Sequence, residues 1–338
     1  MRKNLRLLLA ALCLAALCLT PLYGCQGDDQ APPDFSAPPP PEGGYSLLDG
    51  RLLVDMPEGT GSVPVQQAMA RAPESERVGT QLIYASGEVA IGLVAYELFQ
   101  ISSGSLEQDA RNGMKEPIES GQQFDFQTVQ VGSGLAVVEI MPRQFDESAD
   151  MILIRAALVK DANGALIIVN LYANDTVFKN KDGCLAQAGA IIRSLRPGGR
   201  RLETGAHREQ TDDFAIQLAE GYVLTKQYND EFIVYTITKV IPAGREPPYM
   251  CVYLGASPSL VCDSQGVTLD EMEQTESTVL GESVTWGAYR PKPGEDKLMF
   301  KETMFAFGEE LFVHVAIIPA DEAEMTEMTR MAESMSEA

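Results

Sequence analysis

Apolar residues at every second position predict β-strands in several parts of the chain. In the segment LFVHVAII, the apolar side chains of Leu311, Val313, Val315 and Ile317 alternate with those of the opposite face, where His314 lies. A period of two residues is typical of a strand that is buried on one face. We therefore expect one face of this strand to line a core, and His314 to be a buried or helix-covered structural imidazole.

Two turn sequences predict hairpins that join strands of this kind. Asp161-Ala-Asn-Gly164 and Gly308-Glu-Glu310 each interrupt an apolar run with residues that favour tight turns. The strands predicted around them are Met151–Lys160, Ala165–Tyr172, Leu298–Phe307 and Leu311–Ile318. A further predicted strand, which contains a glycine, precedes each hairpin.

A helix with one apolar face is predicted after each hairpin. Gly183–Leu195 has apolar residues at helical spacing, and Pro197 follows as a stop signal. Asp321 is expected to cap the second helix, which carries a stripe of methionines at Met325, Met328, Met331 and Met335. Both apolar faces are expected to pack on a sheet, and Trp286 is expected to lie in the core.

The same elements occur twice in the same order, which indicates a duplicated unit. Each copy has early strands, a capping-box sequence, a glycine-containing strand segment, a long hairpin and a closing amphipathic helix. The predicted organisation is residues 1–24 as a signal peptide, 25–44 as a tether, and 45–200 and 201–338 as the two copies.

The element order of each copy resembles the MOG1/PsbP-like fold. The resemblance implies an α+β protein made of two tandem α/β/α sandwiches, each with a central antiparallel sheet and flanking helices. It also implies a protein that binds protein partners and is not an enzyme, since members of this fold include photosystem II accessory subunits, secretion chaperones and envelope lipoproteins.

The first 25 residues have the organisation of a secretory signal. Arg2, Lys3 and Arg6 precede Leu7–Leu19, an apolar run of 13 residues, which is shorter than the ~20 residues that span a bilayer. The tetrapeptide LYGC ending at Cys25 resembles the lipobox of bacterial lipoproteins. The resemblance implies cleavage before Cys25 and lipid attachment to its thiol, with an ordinary signal peptide or an uncleaved anchor as the alternatives.

The tether is expected to hold the folded units away from a bacterial membrane. It contains six prolines and no basic residue, a composition that favours extended polyproline II. A PxxP ligand is the alternative function for this segment. Gln26 after the lipidated cysteine resembles the pattern that is sorted to the outer membrane, so we expect the protein to face the periplasm from that membrane rather than from the inner one.

Charge and histidine content exclude several functions. The chain has 26 Lys and Arg against 48 Asp and Glu, a net charge of −22, which argues against nucleic-acid binding. Two histidines make a His-rich metal site unexpected, and no acidic cluster matches a calcium loop. We expect no catalytic residues, no cofactor and no metal. Residues 201–338 carry a net charge of −15, which favours either a basic partner or simple solubility.

The cysteines after the tether admit two interpretations. In the segment YMCVYLGASPSLVCD, a hairpin with a loop at Gly255-Ala-Ser-Pro258 would place Cys251 opposite Cys262 and allow a disulfide. Cys184 would then be left as a small buried side chain on a helix. The alternative is that all three thiols are free.

The functional hypothesis is a membrane-tethered cell-envelope lipoprotein that acts as a non-catalytic binding or assembly module for another envelope protein. The alternative is a small-ligand carrier or envelope hydrolase, which would need a deep polar pocket near His314 or Trp286.

Overall fold

The structure is a computed structural model that describes residues 44–48, 50–57, 60–63, 79–86, 89–131, 134–146, 151–174, 178–228, 232–308 and 311–338. Two compact units are distinct within this part of the chain. Unit 1 extends to Leu202 and includes Pro242–Gly244, whereas unit 2 comprises Glu203–Ile241 and Arg245–Ala338.

Unit 1 is built on a seven-strand antiparallel arrangement. Its described strands are β1 (Tyr45–Leu47), β2 (Leu52–Val54), β3 (Thr60–Val63), β4 (Gly79–Ser86), β5 (Val89–Ile101), β6 (Phe124–Val129), β7 (Ala136–Pro142), β8 (Met151–Lys160), β9 (Ala165–Asn174) and β10 (Arg196–Pro197). Its described helices are α1 (Leu106–Gly113), α2 (Lys115–Glu119) and α3 (Lys181–Arg193). The large sheet has the order β3-β4-β5-β9-β8-β7-β6, and a small sheet has the order β1-β2-β10.

Unit 2 repeats this plan. Its described strands are β11 (His207–Gln210), β12 (Phe214–Leu218), β13 (Tyr222–Tyr228), β14 (Phe232–Lys239), β16 (Tyr249–Gly255), β17 (Glu273–Val279), β18 (Glu282–Tyr289), β19 (Phe300–Phe307), β20 (Leu311–Ile318) and β21 (Ser336–Glu337). The short β15 (Ile241–Pro242) begins at the last residue of Glu203–Ile241 and ends in the part of the chain assigned to unit 1. Its helices are α4 (Val261–Gln265), a 3-10 helix (Leu269–Glu271) and α5 (Glu322–Glu333). The large sheet has the order β13-β14-β16-β20-β19-β18-β17, and the small sheet β11-β12-β21.

The two strand orders match position by position. In each unit the long hairpin (β8–β9 or β19–β20) lies inside the large sheet, and the small sheet pairs an early strand with the strand that follows the closing helix. Such agreement over the whole topology is what a duplicated unit would retain.

One serine fixes the closing helix in the same way in both units. The hydroxyl of Ser194, after α3, donates to a carbonyl of the last helical turn and accepts the backbone N–H of Asp55, next to β2, at 2.9 Å. Ser334, after α5, makes the equivalent bonds, with the N–H of Gln217 on β12 at 3.0 Å. The serine therefore ties the end of the helix to the small sheet.

The predicted α/β/α sandwich is wrong. The described chain is mostly β, with several antiparallel sheets and a curled half-barrel. The physical reason is that the closing helix packs on one face of each large sheet, whereas only short helices pack on the other face. Among the described residues these are α1 and α2 in unit 1 and α4 with the 3-10 helix in unit 2, which are too short to form a second helical layer.

The predicted apolar faces are confirmed except at Leu311, which is 46% exposed because it lies at the end of its strand next to the turn. In unit 2, Val313, Val315 and Ile317 lie in one core cluster with Trp286, Met328, Met331 and Met335. In unit 1, the apolar face of α3 packs in the corresponding cluster. Burial of these side chains stabilises each unit by about 1.5–3 kcal/mol for each large residue removed from water.

Both predicted hairpins are also confirmed. In the first, the Asp161 carboxylate accepts the backbone N–H groups of Asn163 and Ala165, which closes the turn. In the second, Phe307 pairs with Leu311. The Thr268 capping box forms as well, although it precedes the three-residue 3-10 helix.

Candidate functional site

The outer face of the large sheet of unit 2 is the face opposite the Trp286 core. Because side chains alternate along a strand, the register of β14, β16, β20 and β19 determines which residues share this face. Residues 256–272, which contain α4 and the 3-10 helix, cover part of it, and we call them the covering segment. The outer face thus has a covered part and an open part.

A buried carboxylate holds the covering segment on the sheet. Glu302 on β19 accepts the backbone N–H groups of Val261 and Cys262, each at 2.8 Å, at the start of α4. Its Oε2 also lies 2.8 Å from Nε2 of His314 on β20. Glu302 and His314 are only 4% and 5% exposed, so these bonds form away from water.

The hydrogen bonds keep Glu302 ionised. Burial alone would raise the pKa of this carboxyl, but the bonds from His314, Cys262 and Val261 outweigh burial and hold the pKa below its usual value. The carboxylate therefore acts as a charged acceptor that connects the covering segment to two adjacent strands.

This cluster is not arranged for nucleophilic catalysis. In a catalytic triad the imidazole lies between the nucleophile and the carboxylate, whereas here the carboxylate of Glu302 lies between Cys262 and His314. Burial, followed by the neighbouring Glu302, raises the pKa of the Cys262 thiol to about 11, so the thiol stays protonated at neutral pH. The prediction that His314 is buried is confirmed.

The hairpin on which the predicted disulfide depended is absent. Cys251 lies within β16 between Thr236 and Ala316 of the adjacent strands, and Cys262 lies on α4. The described thiols of Cys184, Cys251 and Cys262 are all free. The prediction was wrong because β16 ends at Gly255 and the next residues turn into a helix anchored by Glu302, instead of returning as a strand.

His207 lies on β11 at the surface of unit 2. Its ring nitrogens lie 2.7 Å from the Gly205 carbonyl and 2.7 Å from the Glu209 carboxylate. The bond to the Gly205 carbonyl, and then the one to Glu209, raise the pKa of this imidazole.

The open part of the outer face carries two rows of aromatic and apolar side chains. One row places Phe232, Gly255, Phe312 and Ala306 side by side, and the next places Val234, Tyr253, His314 and Met304 side by side. We call the large side chains Phe232, Val234, Tyr253, Met304 and Phe312 the aromatic rows.

The aromatic rows are accessible to a partner. Met304 is 44% exposed, and the other four side chains are half-buried. The rings of Phe232 and Tyr253 lie 5.4 Å apart, and the hydroxyl of Tyr253 accepts the backbone N–H of Ser257 at 3.3 Å. The surface is therefore partly organised by its own contacts. Sequence reasoning missed it, although aromatic residues at the outward positions of apolar strands were the available signal.

The corresponding hairpin of unit 1 has a different surface. At its turn, Asp161 pairs with the buried Arg51 at 2.7 Å, and Arg51 also contacts Glu97. The apolar residues next to this turn, Ala165 and Leu166, are buried. The end of this hairpin is thus polar and fixed by ion pairs, whereas the end of the β19–β20 hairpin presents apolar side chains.

Cys25 and the tether at 25–44, apart from Gly44, lie outside the described residues. No described helix is long and apolar enough to cross a membrane. In the same part of the chain, no group of three or more His, Cys, Asp or Glu side chains could hold a metal ion.

Comparison with known proteins gives little similarity. No known family matches the chain, and no curated protein matches it in sequence. Among solved structures, the chain is similar to the apo structure of the immunity protein TplEi of T6SS from Pseudomonas aeruginosa, with 13% identity, coverage of 85% of this chain and 95% of that chain, and a TM-score of 0.21. At this score we draw no conclusion about fold or function from the similarity.

Proposed function

We propose that the protein is a lipid-anchored protein of the bacterial cell envelope that binds another envelope protein and catalyses no reaction. The observation that carries the proposal is the open, apolar part of the outer face of unit 2. The exposed Met304 lies there among the half-buried side chains of the aromatic rows, and apolar patches that reach the surface are typical of binding sites. Beside it, the described groups Glu302, His314 and Cys262 are joined by structural hydrogen bonds.

The sequence supports the anchored location. The lipobox ending at Cys25 and the proline-rich tether would hold the units at a distance from the lipid. A partner within reach of such a tether meets the protein at a high effective concentration. We place the anchor in the outer membrane, facing the periplasm.

The anchor is tested by Cys25→Ser in the producing cells. We expect unprocessed precursor, loss of acyl groups by mass spectrometry, and loss of the protein from the outer-membrane fraction. Cys184→Ser is the matched control, since that thiol is buried in unit 1 and is expected to leave processing unchanged. Normal maturation and unchanged membrane association of the Cys25→Ser protein would contradict the anchor.

The binding function is tested by photo-crosslinking in intact cells. A photoreactive phenylalanine is placed singly at positions 118, 269 and 304, where large apolar side chains are exposed. A discrete crosslinked product with one envelope protein from at least one position is expected. Absence of any product from all three positions would contradict a protein-binding function.

A further inference from the structure

We infer that the aromatic rows of unit 2 bind a cationic segment of the partner, in which Lys or Arg side chains adjoin apolar ones. The inference rests on the proposed function and names the surface and the chemistry of the partner. It is carried by the position of the rows, the net charge of unit 2 and the contrast with unit 1.

The rows combine ring faces with a flexible apolar side chain. Phe232, Tyr253 and Phe312 present aromatic rings on two adjacent rows of one sheet face, and Met304 ends the second row. Aromatic faces attract Lys and Arg as well as apolar groups, and methionine adapts its shape to different partners. The surface is therefore suited to an apolar segment that also carries positive charge.

The charge of unit 2 favours such a segment over a neutral one. Residues 201–338 contain 10 Lys and Arg against 25 Asp and Glu, a net charge of −15. Residues 45–200 contain 13 against 19, a net charge of −6. Opposite net charges on two partners accelerate their encounter and disfavour partners of like charge.

The same charge argues against the other occupants. A second copy of unit 2 would bring two strongly acidic units together. The chain's own tether has four acidic and no basic residues between positions 26 and 44, so it would be repelled as well. An anionic lipid surface is disfavoured for the same reason.

Unit 1 provides an internal comparison. The end of its β8–β9 hairpin is held by the ion pairs of Arg51 with Asp161 and Glu97. Further along the same face, Tyr172 on β9 and Val94 on the adjacent β5 are buried. We therefore assign partner binding to unit 2.

The surface is tested first by the crosslinking position. A photoreactive phenylalanine at position 304 is compared with one at position 118, because Met304 and Ile118 are 44% and 40% exposed, and with one at position 269. Capture from position 304, with the crosslinked segment identified by mass spectrometry and containing Lys or Arg, is expected. Capture only from position 118 or 269 would overturn the assigned surface and leave the proposed function intact. Capture at 304 by an acidic or neutral segment would overturn the cationic partner.

The energetics are tested with a synthetic peptide of the captured segment and the purified full-length protein. Met304→Ser together with Phe312→Ser should weaken binding by about tenfold or more, since central anchors dominate an interface. Leu269→Ser is the control, because Leu269 is 67% exposed on the same unit but outside the rows. Binding should also weaken when Lys and Arg of the peptide are replaced by Gln, and when salt is raised.

Two results would overturn the inference at this stage. One is an equal loss of affinity with Leu269→Ser, and the other is salt-independent binding that survives the Gln replacements. Trp286 fluorescence in urea confirms that each variant is folded, since this single tryptophan is fully buried in unit 2.

Discussion

Replacement of Glu302 by Ala should destabilise unit 2 more than any other single change at an acidic residue of its described strands. The substitution removes the acceptor of three donors at once: the backbone N–H groups of Val261 and Cys262, and Nε2 of His314. All three contacts are 2.8 Å long, and Glu302 and His314 are almost fully buried.

The expected loss is about 3–5 kcal/mol, because each hydrogen bond to a charged acceptor contributes about 1.5–3 kcal/mol. Each donor left without an acceptor costs about 1–3 kcal/mol. The total loss of stability is smaller than three times this cost, because α4 can shift and expose its N–H groups to water. Glu302→Gln keeps the shape and one acceptor oxygen, so its loss should be smaller than that of Glu302→Ala.

The assay is urea unfolding followed by fluorescence. The chain has one tryptophan, Trp286, which is fully buried in unit 2, so the signal reports this unit. Glu276→Ala is the control, since Glu276 is exposed on β17, and its change should stay within about 0.5 kcal/mol. A loss below about 1 kcal/mol for Glu302→Ala would refute the view that this carboxylate anchors the covering segment.

Three further predictions follow from the described contacts. Because the pKa of Glu302 in the folded unit lies below its unfolded value of 4.5, its stabilising contribution should be complete above pH 4.5 and be lost as the pH falls through the lower folded value. Acid titration of Trp286 fluorescence should show this loss, and Glu302→Gln should reduce it. Burial raises the pKa of the Cys251 and Cys262 thiols to about 11, so iodoacetamide at pH 8 should modify them slowly in the folded protein and quickly in urea. Peptide mapping without reductant that finds them linked would contradict the free thiols. Ser194→Ala and Ser334→Ala should each lower stability by about 1 kcal/mol in urea unfolding, because each removes the link between a closing helix and its small sheet; unchanged midpoints would contradict that role.

Local patterns were sufficient for the strands, hairpins and closing helices. The alternation in LFVHVAII correctly placed Val313 and Val315 in the core, and the turn at Asp161-Ala-Asn-Gly164 formed as its residues favour. These elements depend on residues that are close together in the sequence, so local patterns are enough to predict them.

Contacts between distant residues could not be predicted in the same way. The segment after Gly255 forms a helix whose N–H groups are held by Glu302, a residue some 40 positions later. No local pattern in YMCVYLGASPSLVCD reveals this acceptor, and the segment was therefore interpreted as a hairpin.

The contact between Glu302 and His314 follows from the register of the hairpin. Once the β19–β20 hairpin is placed with Phe307 opposite Leu311, the register puts Met304 opposite His314 and makes Glu302 its diagonal neighbour on the same face. The covering segment that buries both residues could not be foreseen from the sequence.

The small sheets determine how each unit responds to mechanical force. In unit 1 the chain enters through β1 and leaves the closing helix through β10, and both strands pair with β2. Tension between the two ends of the unit therefore loads the few hydrogen bonds of this small sheet before it reaches the seven long strands. Under a steady pull the small sheet should separate first, and the chain should lengthen while the large sheet keeps its pairing.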